Sequence, residues 1–396
     1  MKKIPAHVPA HNISEIICAL KDLSKKELKQ NFEDKVKDFL KSEYYLSTWS
    51  GKQALYIGLK TLGIKKDDEI ILPGYTSNVV PMVIKQLGAI PIPVDVNLDD
   101  YNIDAQKVQE SITKKTKAII AVHTFGYPCD MNELNDICKD KNIYLIEDAA
   151  QAFGAEYNGK KVGTIGDLGF FSFGFGKSIS MGIGGGITTH HKDVWSKLQE
   201  IIIINKSSLK QSIMHFTKMV GTIFLSNPYL YGMIGYKAKK NMVLHQYSNL
   251  ENELENARDL PKFAYAIGIQ ELKNMNSIIM DRRHNAFSYS KILQKKNIHY
   301  PKEKKGRYHV YTRYMVRFNT KKEKEDVIKK MLNLNIEPVL MQQGYPISVN
   351  FYPNNFKKVV VNSQKLRETC IGLPISTKLS QDILEQIFKN YEKNLC

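Results

Sequence analysis

The sequence predicts an α/β fold: a mainly parallel sheet covered by helices, with a smaller unit after it. Three observations carry that expectation. Short apolar runs rich in β-branched residues recur at 69–72, 90–94 and 118–122, and again at 143–146 and 169–173. Helical patterns separate the first three, the alternation expected of parallel strands joined by helical crossovers. At 396 residues the chain can bury a large core and favours two units over one.

Composition narrows the class. With 43% hydrophobic and 24% charged residues the chain has the balance of an ordinary globular protein. Its formal charge of +17 raises the question of nucleic acid. The lysines, however, lie in mixed-charge stretches such as "KKELKQNFEDKVKDFLK" and "KKEKEDVIKK", which at helical spacing read as solvated faces. No DNA or RNA recognition motif accompanies them, so a nucleic-acid partner is not expected. Cys18, Cys129, Cys138, Cys370 and Cys396 are odd in number and dispersed, without a Cys-x-x-Cys pair. They read as reduced thiols of a cytoplasmic protein, with neither a disulfide frame nor a metal site. Pro5, His7, Pro9 and His11 stand where a secretory leader needs an apolar run.

In chain order, residues 14–41 form a polar helical pattern leading into the large unit. Ser50 and Gly51 then open a helix whose apolar side is Ala54, Leu55, Leu59 and Leu62. Its free N-terminal amides make the start of this helix a candidate phosphate cup. The run 143–146 is a buried strand that ends in Asp148, with Gln151 just beyond. The run 169–173 delivers Ser172 and, five residues later, Lys177, followed by a glycine-rich segment that lets backbone approach a flat ring closely. Both strands should end at the same carboxyl rim, where open α/β sheets bind ligands.

A lone lysine after a strand in so lysine-rich a chain is usually a solvated loop residue, but lysine and aspartate at one rim also admit a specific chemistry. Pyridoxal 5′-phosphate needs an amine to take its aldehyde and a carboxylate to pair with its ring nitrogen, and Lys177 and Asp148 supply both. "GFGKS" also invites a phosphate-loop reading. That motif requires glycine five residues before Gly176, where Phe171 stands.

Between 209 and 236 a helical stripe of Ile213, Phe216, Val220 and Ile223 precedes an Asn227-Pro228 turn and a tyrosine-rich run. Residues 219–236 carry no charge, but the turn and three glycines argue against a transmembrane helix. Packing on a partner subunit or on the protein's own surface is favoured over an interfacial membrane helix. From 256 onward a long helix "FAYAIGIQELKNMNSIIMDRRHNAFSYSKIL", a strand "HVYTRYMVRF", and helices at "KEDVIKKMLNLNIEP" and "SQDILEQIFKNYEKN" form the second unit. The expected division is 1–255 and 256–396, with an insertion at about 205–250.

The segments "LPGYTSN", "VDVNLDDYNID", "VHTFGYPCDMN", "EDAAQAFGAEYNGKKVGTIGDLGFFSFGFGK" and "GLPIST", in that order and preceded by Trp49 to Gln53, resemble the DegT/DnrJ/EryC1/StrS family of sugar aminotransferases. The likeness is good over 36–195 and weaker from 263 to the end. It implies the aspartate aminotransferase superfamily fold (fold type I of the pyridoxal phosphate enzymes): a large domain with a mainly parallel seven-stranded sheet and a smaller C-terminal α+β domain. It also implies a homodimer that passes an amino group from glutamate or glutamine to the keto sugar of a nucleotide sugar. Lys177 would then carry the cofactor and Asp148 pair with its ring. Gln151 would lie beside the ring, Ser172 and the cup at Lys52 and Gln53 would hold the phosphate, and Asn256 would reach the neighbouring subunit's phosphate. Two departures stand out: Lys52 replaces a usual threonine, and Ser77 occupies the position of an aromatic that stacks on the cofactor, with Tyr75 expected in the core. Rivals are a deoxysugar dehydratase, which tends to carry histidine in place of Lys177, and a cofactor-binding regulator or scaffold without turnover.

Overall fold

The computed structural model describes residues 3–6, 13–24, 26–201, 207–235, 254, 258–340, 360–376 and 378–389. Asn256 lies outside the described residues.

Seven strands form the principal sheet: β1 (Tyr44–Thr48), β2 (Glu69–Pro73), β3 (Ile90–Val94), β4 (Thr116–Val122), β5 (Tyr144–Asp148), β8 (Leu168–Ser172) and β9 (Gly185–Thr189), in the order β1-β9-β8-β5-β4-β2-β3. The neighbours from β8 through β3 pair parallel, and β9 pairs antiparallel with both β8 and β1. This is the expected mainly parallel seven-stranded α/β sheet. The short pair β6 (Glu156–Tyr157) and β7 (Lys160–Lys161) joins β10 (Arg307–Tyr308) in a small separate sheet.

Why the strand runs are almost continuously apolar is plain from the two cores. Successive residues point to opposite faces of a sheet, and both faces here are covered. Ile71, Ile119, Leu145 and Phe171 join one cluster, with α2 (Leu28–Leu40), α5 (Ala105–Ser111), α6 (Met131–Lys141) and the long helix α10 (Lys262–Lys295). Their neighbours Ile70, Ile120, Ile146 and Phe170 join the other, with α3 (Gly51–Thr61), α4 (Val79–Gln86) and α7 (Lys192–Ile201). Doubly covered parallel strands have no polar face to show.

The polar pattern of 14–41 divides into α1 (Ile13–Asp22) and α2, both packed along α10. Residues Leu28, Phe32, Val36 and Leu40 recur every fourth position and form the buried stripe of α2.

α10 serves two cores. Phe263 to Ile279 contribute to the sheet's core, whereas Ala286, Tyr289 and Leu293 belong to a cluster with β11 (Tyr314–Arg317), β12 (Cys370–Leu373), α11 (Lys321–Asn333) and α13 (Gln381–Ile387). The intervening helix α12 (Val361–Thr369) packs on α11. The chain's start returns to this second cluster, where Ile4 bridges Ile336.

One strand expectation is shortened. Of "HVYTRYMVRF" only Tyr314–Arg317 is strand. His309 folds back on its own segment instead, its Nδ1 accepting from the Tyr311 amide at 3.0 Å, and Tyr311 adopts φ +47°. Alternating side chains alone do not reveal such a local hydrogen bond.

Of the Ile213, Phe216, Val220 and Ile223 stripe, on α8 (Leu209–Ser226), three members rest on the protein's own core and only Ile213 is exposed. The stripe as a whole is therefore not a bare patch. Asn227 ends α8 and caps the short α9 (Pro228–Leu230), accepting from the Tyr229 amide at 3.0 Å.

Candidate active site

The carboxyl end of β8, paired in parallel with that of β5, meets the start of α3. Ser50 is extended, at φ −160° and ψ 162°, and its Oγ accepts from the Gln53 amide at 3.3 Å, a regular N-cap. Gln53 is buried, and its side-chain oxygen accepts from the Trp49 amide at 3.1 Å, tying the turn to the helix it begins. Ser172 lies directly across: a Cβ on Gly51 would stand 2.7 Å from Ser172 Cβ and 3.1 Å from Ser172 Oγ. Glycine at 51 is what lets the serine at the end of β8 approach the helix N-terminus. Ser50 also bridges Gly184 at the start of β9, closing the cup from the other side. Backbone amides, the helix dipole and a hydroxyl thus converge at one place, the elements of an anion site. Lys52 is half-buried in the first turn.

Lys177 lies in the loop between β8 and β9, whose two arms are joined at Gly174 and Gly182. It is half-buried. Burial brings its amine down from 10.5 to about 8, against the attraction of Asp148 and with help from the positive charge of Arg313. Asp148 is buried at the tip of β5. Its Oδ1 accepts from the Ala150 amide at 3.0 Å. Burial pushes its carboxyl above the usual range, opposed by the Lys177 charge and that amide. Lys177 and Asp148 are thus close enough for each to feel the other's charge.

Gln151 is half-buried just beyond Asp148, and its backbone oxygen accepts from Thr312 Oγ1. The same hydroxyl pairs with Ser178 Oγ at 2.8 Å, next to Lys177. Thr312 thus ties the 309–313 segment to both sides of the site, and Arg313 follows it there. Neither residue carried a local signal in the sequence, because the contacts span |i−j| of 161 and 134. Tyr75 is buried with Phe125 edge-on at 6.0 Å, as expected of a core residue, and Ser77 is half-buried.

Behind the site, His123 Nε2 donates to Glu147 Oε2 at 2.9 Å, while His123 Nδ1 accepts from the Cys129 amide at 3.1 Å. That pair of contacts fixes the neutral tautomer with its proton on Nε2. Glu147 also accepts from the Gly163, Ile165 and Gly166 amides at 2.8, 2.5 and 2.7 Å. The hydrogen bonds outweigh burial and hold its carboxyl below the usual range. Gly163 has φ +86°, and a Cβ there would meet the Phe171 ring at 2.3 Å, so glycine is required for this loop to seat on Glu147.

A phosphate-bearing cofactor with an aldehyde and a basic ring nitrogen fits what is present. The cup at Ser50 to Gln53 with Ser172 offers donors for the phosphate, Lys177 an amine with a lowered proton affinity, and Asp148 a buried carboxylate that takes one backbone amide among the described residues. Among the described residues no cluster could hold a metal ion, and no helix is long and apolar enough to cross a membrane.

Comparison with known proteins gives the family and the fold. The model of the DegT/DnrJ/EryC1/StrS aminotransferase family matches residues 14–392. GDP-perosamine synthase of Escherichia coli O157:H7 is 29% identical over 391 residues, covering 96% of both chains. The dTDP-3-amino-3,6-dideoxy-alpha-D-galactopyranose transaminase of Aneurinibacillus thermoaerophilus is 29% identical over 358 residues, 90% of this chain and 87% of that one. The X-ray structure of an aminotransferase from Psychrobacter cryohalolentis shares the fold, with a TM-score of 0.76 at 22% identity over 97% and 96% of the two chains. The chain belongs to the DegT/DnrJ/EryC1/StrS aminotransferase family.

Proposed function

We propose that the protein is a pyridoxal phosphate-dependent aminotransferase that moves an amino group from glutamate or glutamine to the keto sugar of a nucleotide sugar, in the making of amino sugars for surface polysaccharides. The observation that carries the reading is that Lys177 and Asp148 lie near enough for each to feel the other's charge, while Ser172, on the strand paired with that of Asp148, stands against Gly51 at the start of α3. The relatives named above, a perosamine synthase and a dTDP-sugar transaminase, support the substrate class.

Pyridoxal phosphate, when bound, supplies an aldehyde for the donor's amine and a protonated ring that draws electrons from the donor's Cα. Asp148 holds the proton at the ring nitrogen. A carboxylate withdrawn from water with few donors demands a cation against it, and this one faces Lys177. Lys177 Nζ removes the proton from the donor's Cα and returns one on the acceptor side. Burial lowers the pKa of this amine to about 8, which favours its neutral form more than in a solvated lysine. Ser172 and the amide of Lys52 would hold the phosphate, with the Gln53 amide shared between it and Ser50 Oγ, and Gln151 would line the ring's edge.

We read α10 as the link between a large unit and a small C-terminal one, and the working assembly as a cytoplasmic homodimer, with Asn256 contributing to the neighbour's site. Lys177 favours transfer over the dehydratase alternative. Cofactor-loaded protein given glutamate should release one equivalent of 2-oxoglutarate per site and then aminate a member of a panel of nucleotide keto sugars. Cofactor binding without release of the matching keto acid from glutamate, glutamine or any other amino donor would leave the regulator or scaffold reading standing and reject this one.

A further inference from the structure

Helix α8 has two apolar flanks, and only one has a partner among the described residues. Phe216, Met219, Val220 and Ile223 press on the core beneath, with Phe216 edge-on to Phe263 at 5.6 Å. The same side seats α8 beside the candidate site: His215 lies edge-on to Trp49 at 5.3 Å, and Met219 covers Gly182. On the other flank Ile213 is 55% exposed and Phe224 52%, with Met214 exposed between them. Beyond the Asn227 turn the exposure continues through Tyr229 and Met233, the latter 65% exposed.

The charges along this stretch of the sequence are one-sided. The chain has 40 Asp and Glu in all, yet none between residues 201 and 250, where Lys206, Lys210, Lys218, Lys237, Lys239 and Lys240 stand. Lys210 and Lys218 are on α8 itself, and the other four flank it along the sequence.

We propose that the outer face of α8 and the turn after it dock on an anionic bilayer surface, with the helix lying in the interface. An amphipathic helix with lysines and no acids beside exposed Ile, Phe and Met is the pattern that binds such surfaces through apolar insertion and charge attraction together. Tyrosines such as Tyr229 suit the headgroup level. Spanning is not at issue, since no described helix is long and apolar enough to cross. A second copy of the chain is a poorer occupant. A two-fold contact sets a patch against itself, and this one would oppose lysine to lysine with no carboxylate between 201 and 250 to pair them. Because the inner side of α8 touches Trp49 and Gly182, docking would hold the candidate site close to the membrane surface. The inference does not depend on the reaction assigned to that site.

Flotation of the full-length, cofactor-loaded protein with vesicles tests it. Vesicles of phosphatidylcholine mixed with phosphatidylglycerol should carry the protein upward at low salt, and pure phosphatidylcholine vesicles or high salt should not. Ile213→Ser with Phe224→Ser, and separately Lys210→Glu with Lys218→Glu, should each weaken binding by about tenfold or more, with circular dichroism and the glutamate half-reaction unchanged. No flotation with anionic vesicles at low salt would overturn the proposal. So would binding that both double variants leave intact, which would assign it to another basic surface. A fall from dimer to monomer in Ile213→Ser with Phe224→Ser, read by light scattering without vesicles, would give the face to a second copy instead.

Discussion

Glu147 and Asp148 are consecutive residues at the end of β5, both withdrawn from water, and the fold treats them oppositely. A strand's alternation sends them to opposite faces. Glu147 meets His123 and three backbone amides, and its carboxyl falls below the usual range. Asp148 accepts one amide among the described residues, feels the charge of Lys177, and its carboxyl rises. A buried carboxylate with all its lone pairs satisfied holds a loop in place. One with spare lone pairs toward an amine has capacity left for a ligand. The difference between architecture and chemistry is thus written in donor supply rather than in burial, which the two share.

The largest effect should come from setting the two neighbours against each other. Asp148→Asn should cut amino transfer by roughly 10²–10³-fold while the cofactor still binds through the cup at Ser50 to Gln53. Glu147→Gln should instead cost about 2–4 kcal/mol of stability, with turnover per folded molecule little changed. Turnover assays, cofactor absorbance and urea titrations of both variants would collapse the comparison if the effects were exchanged.

The pH dependence sharpens it. Glu147 has its folded pKa depressed, so its stabilisation is complete above the unfolded value and is lost as pH falls through the folded one. Thermal melts should therefore show the wild type losing more stability in acid than Glu147→Gln does. Lys177 has the opposite linkage. With its folded pKa lowered to about 8 from 10.5, the unfolded chain binds more protons between those values, so this group makes stability rise with pH across that window. In cofactor-free protein, Lys177→Met should flatten that rise; a slope identical to wild type would contradict the burial assigned to Lys177.

A smaller effect should follow at Thr312. Thr312→Val removes the hydroxyl shared by Gln151 and Ser178 and should lower kcat about tenfold with KM nearly unchanged, while Thr312→Ser restores it. Equal loss in both variants would mean that the methyl group, rather than the hydroxyl, seats the segment.

Much of this was legible in the sequence where the signal is local. Apolar runs at 69–72 and 118–122 announced strands covered on both sides, and the Ser50-Gly51 start of α3 announced its cap. That Lys177 and Asp148 come near one another was legible because strand ends in an α/β sheet share a rim; their reading as cofactor residues rests on the family resemblance. What was hidden depends on contacts between distant positions. Thr312 reaches Ser178 only because the second core folds back along α10. Glu147 reads from sequence as one more residue of a strand; its donors come from His123 and the loop at 163–166. The stripe on α8 was visible as a pattern, but which of its members face the core depends on where Phe263 and Gly182 lie. The 309–313 segment looked like strand until His309 took its own backbone as a partner.

The most direct test of the account is chemical. Borohydride reduction of the yellow, cofactor-loaded protein followed by proteolysis should recover the pyridoxyl group on the peptide containing Lys177, and Lys177→Ala should yield no such adduct. Recovery of the group on Lys52 or any other lysine, with Lys177 unmodified, would contradict the assignment of Lys177 and Asp148 as the centre of the site.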